Sequence, residues 1–220
     1  MSITLAAVLA ATMRLAATPA YAEGAPPGFS GGFKEDSCHA CHFHEPLNSG
    51  GGRVTIEGMP ASFEAGQRYT LTVTLTRAGM TRAGFQLATR FKDGGAQAGT
   101  LAPGPGEGER VTVESQSGVQ YAGQKKDGSS VSAAGATRWT IEWTTPARGG
   151  PVIVHVSANA ADGNESADGD FVYTAASESS PASPRAMLRP SADRRQANAS
   201  IDLVRGLRPA SQVLALYSRR

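Results

Sequence analysis

Cysteine is scarce in this chain of 220 residues: there are two, Cys38 and Cys41, and they stand three positions apart. No framework of disulfides can tie distant segments together, so a compact body must rest on a hydrophobic core. Charge of one sign is lacking as well. Twenty-one Lys and Arg against nineteen Asp and Glu leave a formal net charge of +2, which argues for neither nucleic acid nor an anionic membrane surface as partner. No apolar run approaches the ~20 residues that a membrane-spanning helix needs. The sequence also offers no Ser-His-Asp arrangement, no phosphate-binding glycine loop and no credible acid/base pair of carboxylates, so nothing supports hydrolytic catalysis. Aromatic residues make up only 6%, beside 26 glycines and 13 prolines, a turn-rich composition that points to a β-rich body rather than a helical one.

What the chain does have centres on Asp36-Ser37-Cys38-His39-Ala40-Cys41-His42-Phe43-His44. Cys-x-x-Cys-His is the attachment sequence of c-type haem. Two thiols at that spacing can add to the two vinyl groups of one porphyrin, and the histidine that follows lies under the ring as a nitrogen ligand to iron. The expectation is therefore a covalent haem c anchored by Cys38 and Cys41, with His42 as proximal ligand. Three alternatives stay open. Cys38 and Cys41 can close a very short disulfide in an oxidising compartment. They can act as a redox dithiol, although no βαβ pattern surrounds them. Zinc can take both cysteines with two of His39, His42 and His44, although structural zinc ligands usually come as two separated pairs.

The residues before the motif fit export. The run Ile3-Thr4-Leu5-Ala6-Ala7-Val8-Leu9-Ala10-Ala11 precedes Ala20-Tyr21-Ala22, an A-x-A cleavage pattern, so residues 1–22 read as a signal peptide and Glu23 as the mature N-terminus. No Lys or Arg precedes the apolar run, and Arg14 lies inside the segment. The expected location is periplasmic, cell-surface or secreted. Residues 23–52 then form the haem attachment segment, with Asp36 or Ser37 capping a single turn and Asn48-Ser49-Gly50-Gly51-Gly52 as a break before the body.

From Arg53 the pattern has period two. Tyr69, Leu71, Val73 and Leu75 alternate with four threonines, and Trp139, Ile141 and Trp143 alternate with Arg138, Thr140 and Glu142. Further strands are expected at residues 53–57, 84–91, 110–114, 119–121, 151–156 and 171–174. Seven or eight short strands with turn signals between them predict an all-β fold, an immunoglobulin-like antiparallel β-sandwich over residues 53–176. From Ser177 the composition turns to Ser and Pro and then Arg, so residues 177–220 read as a low-complexity, disordered tail.

Cys38-His39-Ala40-Cys41-His42, Gly58-Met59-Pro60, the strand from Gly66 to Val73, Gly84-Phe85-Gln86-Leu87, Trp139 through Pro146, and Ala158 through Asp170 come in an order that resembles one group. It is the bacterial reeler-like (reelin-type) proteins with a choice-of-anchor V domain, and the likeness runs from Gly31 to about Thr174. The resemblance implies a mono-haem cytochrome module in front of an immunoglobulin-like sandwich on an exported protein that is often anchored at its C-terminus. This chain departs from the pattern in two places. Many relatives have a histidine after the strand near Gln120 and Tyr121, where this chain runs Ala122-Gly123-Gln124, and there is no C-terminal hydrophobic anchor.

The sixth iron position has two sequence candidates, His155 on a buried-looking strand and Met80 in a glycine-containing loop, and an open or water-bound position is the remaining option. Arg77, Arg82 and Arg90 can serve as planar donors to haem propionates. Asp162 to Asp170 is dense enough in oxygens for calcium but lacks the EF-hand spacing, so a solvated loop is the leading reading. The function expected is single-electron transfer to a redox protein partner, an electron carrier rather than a catalyst. The alternatives are a surface recognition module binding a glycan or protein, in which haem is structural, and a haem sensor or peroxidase with an open iron site.

Overall fold

The computed structural model describes residues 24–131 and 135–183. The expected signal peptide and all of the tail beyond residue 183 lie outside the described residues. Two sheets face each other. One holds β1 (Gly52–Glu57), β3 (Arg68–Arg77), β8 (Ala136–Thr144) and β5 (Thr100–Pro103), hydrogen-bonded in that order. The other runs β2 (Ser62–Phe63), β10 (Phe171–Pro181), β9 (Val152–Ala161), β4 (Arg82–Phe91), β7 (Val119–Gln124) and β6 (Val111–Gln116). Neighbours are antiparallel except β2, which lies parallel to the end of β10. The all-β sandwich read from the sequence is what forms.

The period-two pattern explains the core. Leu71, Val73 and Leu75 of β3 and Trp139, Ile141 and Trp143 of β8 are fully buried from one side, meeting Val152, Val154, Val156 and Ala158 of β9 and Phe85 and Leu87 of β4 from the other. Phe85 stacks on Trp139 with ring centroids 4.5 Å apart. Both indoles keep their N–H satisfied, Trp139 donating to the Gly128 carbonyl at 2.8 Å and Trp143 to that of Ala98 at 2.9 Å. Buried aromatic bulk with a satisfied polar edge fixes how the layers sit.

The structure adds to the expected strands. β2 and β5 carry no readable alternation, being two and four residues long. β9 continues through Ser157-Ala158-Asn159-Ala160-Ala161, whose residues are weak strand formers by themselves but are paired with β4 on one side and β10 on the other. β10 continues to Pro181, so the body ends five residues beyond the expected boundary at 176, and the start of the expected tail is strand.

Residues 24–49 lie across the outer face of the six-stranded sheet. Gln86, facing outward from β4, clasps them: its Oε1 accepts from the Gly28 and Phe29 amides at 2.9 and 2.5 Å, and its Nε2 donates to the Ala25 and Pro26 carbonyls at 3.3 and 2.9 Å. Asn48 ties the far end to β10, its amide donating to the Val172 carbonyl at 2.9 Å and its Oδ1 accepting from the Thr174 amide at 2.8 Å. Between them, Glu35 is set against Arg90 and the Tyr121 hydroxyl and also accepts from Ser30 at 2.6 Å. A partly buried carboxylate with an arginine and two hydroxyls has its charge and lone pairs provided for. The segment is part of the folded body.

Candidate functional site

A one-turn 3-10 helix, Cys38–Ala40, carries the motif. Ser37, one of the two expected caps, accepts from the His39 amide at 3.2 Å, and the Cys41 and His42 amides both reach back to the Cys38 carbonyl. The turn is pinned to the sheet where the Cys38 amide donates to Ser157 Oγ on β9 at 3.0 Å. This brings Cys38, Cys41 and His42 to one wall of a cavity of about 410 Å³. Phe29, Ala83, Phe85 and Ala161 give that cavity apolar surface, and Arg82, Lys126, Glu165 and Asp170 bring charged groups of both signs to it.

His42 is held by groups 117 and 128 residues away in sequence. Its Nδ1 lies 2.6 Å from Asp170 Oδ2, and that carboxylate is only 2% exposed. Asn159 Nδ2 donates to the same Oδ2 at 3.2 Å, and the Asp162 amide reaches Oδ1 at 3.3 Å. A carboxylate can only accept, so the ring proton sits on Nδ1 and the lone pair is left on Nε2, which has no hydrogen-bond partner among the described residues. Asn159 Oδ1, buried beside the ring, also lacks a partner. The thiols differ from each other. Cys41 is exposed, whereas desolvation pushes the Cys38 thiol up to about 11.

The other histidines are engaged elsewhere. His39 Nε2 is 2.9 Å from the Glu45 carbonyl, and His44 Nδ1 is 2.9 Å from Asp168 at the surface. No group of three or more His, Cys, Asp or Glu that could hold a metal ion occurs among the described residues. The oxygen-rich loop offers calcium no better cage. Asp162 accepts from the Asn164 amide and side chain, both at 3.0 Å, and Asp170 is committed to His42.

Neither sequence candidate for a distal ligand lines the cavity. Met80 is buried in the sandwich core, where an unbranched side chain in a tight loop fills space. His155 faces outward from β9 under the attachment segment: Gly32 lies so close that a Cβ there would come within 2.2 Å of the imidazole, and Phe33 meets the ring edge-on at 5.4 Å. Desolvation, followed by the charge of nearby Arg90, holds the His155 pKa below its usual value. Of the three arginines considered for propionates, Arg82 lines the cavity, Arg90 is taken by Glu35 and Tyr121, and Arg77 donates to Tyr173 at 2.7 Å and to the Gly50 carbonyl at 3.0 Å.

Asp170 and Asn159 are the site residues that the sequence reading missed as partners of His42. Both lie in the Ala158 to Asp170 stretch that carries part of the resemblance, but nothing in the sequence pairs either with His42.

No family model and no curated protein matches the chain. Among solved structures it is similar to the reeler domain of human F-spondin, at 18% identity over 62% of this chain and 94% of that one, with a TM-score of 0.43. The Reelin-N domain of F-spondin gives 20% identity over 66% of this chain and 98% of that one, TM-score 0.41. A cohesin module from a Clostridium perfringens family 33 glycoside hydrolase gives 11% over 59% and 96%, TM-score 0.39. These are likenesses of strand arrangement, and the chemistry at the Cys38–His42 end rests on this chain's own residues.

Proposed function

We propose that the chain is an exported mono-haem c-type cytochrome, with haem joined through Cys38 and Cys41, His42 as proximal ligand, and single-electron transfer to a redox partner as its role. The observation that carries this reading is the buried Asp170 carboxylate 2.6 Å from His42 Nδ1. Metal-ligating histidines characteristically give their other ring N–H to such a group, which fixes the tautomer and raises the basicity of the ligating nitrogen. A merely exposed histidine beside two thiols has no use for a carboxylate that is itself held by Asn159 and by the Asp162 amide.

The residues present fit the group. Cys38 and Cys41 supply the attachment sulfurs on one turn, Phe29, Phe85, Ala83 and Ala161 supply apolar surface for a macrocycle, and Arg82 and Lys126 supply cations for its propionates. When bound, haem supplies a one-electron couple. The protein's own contribution is to orient His42, to keep water from the Asp170 carboxylate, and to pin the attachment turn through Ser157 and Asn48. No helix among the described residues is long and apolar enough to cross a membrane.

The test is visible absorption of protein expressed in a periplasm with the c-type haem maturation machinery. Haem that stays with the polypeptide through denaturing electrophoresis, and is lost in the Cys38→Ala/Cys41→Ala variant, supports the reading. A wild-type protein that retains no haem overturns it and returns the motif to dithiol chemistry on a binding domain.

A further inference from the structure

Electron transfer leaves part of the cavity wall unused. Gln124, at the end of β7, lines the same cavity as Cys38 and His42 and is 7% exposed. Its side chain is oriented, because Oε1 accepts from the buried Phe85 amide at 2.8 Å, so its Nε2 protons are left to donate. Gly84 makes room for it: a Cβ at that position would lie 2.8 Å from Gln124 Nε2. Ser129, Lys126 and Arg82 border the same wall. Apart from His42, no histidine and no methionine of the described residues lines the cavity, since Met80 is in the core and His155 lies beneath Gly32 and Phe33.

We propose that this cavity admits an exogenous small ligand to the haem iron, with Gln124 as its hydrogen-bond donor. The ligand class is a diatomic molecule or small anion that has one lone pair for the metal and an acceptor atom for Nε2. The assignment rests on the haem reading above and goes beyond it, because an iron closed by two protein ligands has no use for a fixed donor in the cavity. Gln124 is a binding residue in this scheme, and the cavity's two cations, Arg82 and Lys126, are matched by two carboxylates, Glu165 and Asp170, so the hydrogen bond rather than net charge selects the ligand.

The experiment uses the haem-loaded full chain, with carbon monoxide as probe of the ferrous state and cyanide as probe of the ferric state. The ferrous protein is expected to take up carbon monoxide without denaturant. Gln124→Leu is expected to weaken cyanide binding about tenfold, the worth of one buried hydrogen bond, and to shift the carbon monoxide stretching frequency. Gln124→Glu keeps an acceptor for the Phe85 amide while removing the donor; thermal melts of both variants show whether each is folded, and the response of the neutral probe, carbon monoxide, separates loss of the donor from charge repulsion. Retained haem that stays six-coordinate and ignores carbon monoxide overturns this assignment alone. Unchanged cyanide affinity in both variants overturns the role of Gln124. Absence of covalent haem overturns both this assignment and the reading it rests on.

Discussion

Replacing Asp170 by asparagine removes one negative charge from beside His42 and leaves the shape of the site nearly intact. The amide oxygen can still accept from Nδ1, so the loss is that of a charged hydrogen bond turned neutral. Bonds to charged groups contribute about 1.5–3 kcal/mol and neutral ones about 0.5–1.5 kcal/mol, so the difference centres on roughly 1.25 kcal/mol. With the carboxylate only 2% exposed, water does little to screen the change. The sign follows from charge: the carboxylate favours the oxidised, more positive iron, so its loss raises the reduction potential. At 59 mV per tenfold for a one-electron couple, Asp170→Asn should raise the potential by up to about 54 mV, the value reached when the whole difference falls on the oxidised state. The assay is a spectroelectrochemical titration of haem-loaded wild type and variant, with a thermal melt to show that both are folded. A potential that stays put or falls in a folded, haem-loaded Asp170→Asn would refute the claim that this carboxylate acts on the iron through His42.

Two further outcomes concern the unloaded protein. Desolvation raises the Cys38 thiol to about 11, so little of it is thiolate at pH 8. Iodoacetamide should therefore alkylate exposed Cys41 first, read by peptide mass spectrometry, and preferential labelling of Cys38 would contradict its burial. His155 gives a pH dependence. Its folded pKa is lowered while the unfolded value stays near ~6.5, so the unfolded chain takes the proton first as the medium acidifies. Its contribution to stability is complete above ~6.5 and is lost as pH falls towards the folded value. Urea midpoints measured at pH 7.5 and pH 5.5 should drop less in His155→Gln than in wild type, and an equal drop would remove His155 from the account.

The strands whose side chains alternate were legible because burial on one face leaves a mark on composition: Tyr69 to Thr76 and Thr137 to Thr144 announce which residues go inward. The second half of β9 left no such mark. Ser157 and Asn159 face the attachment turn while Ala158 and Ala160 face the core, and only the neighbouring strands make the run extended. Cys38, Cys41 and His42 were legible as a unit because they stand within five consecutive positions. Asp170 and Asn159 serve His42 across the whole length of the sandwich, and a contact made only by tertiary folding has no period and no spacing to read. Met80 and His155 show the converse. Residue type nominated both for the iron, and packing assigned one to the core and the other to the underside of the attachment segment.

The long separation between the motif and its supports also orders events in time. Cys38 and Cys41 leave the ribosome early, whereas Asp170 follows His42 by 128 positions. Until β9 and β10 are in place the two thiols have no sheet to lie on. Arrival of β9 and β10 changes this, because Ser157, Asn159 and Asp170 draw the turn down and the Cys38 sulfur loses its water. The order of the strands thus leaves the thiols uncovered until the last part of the sandwich is made.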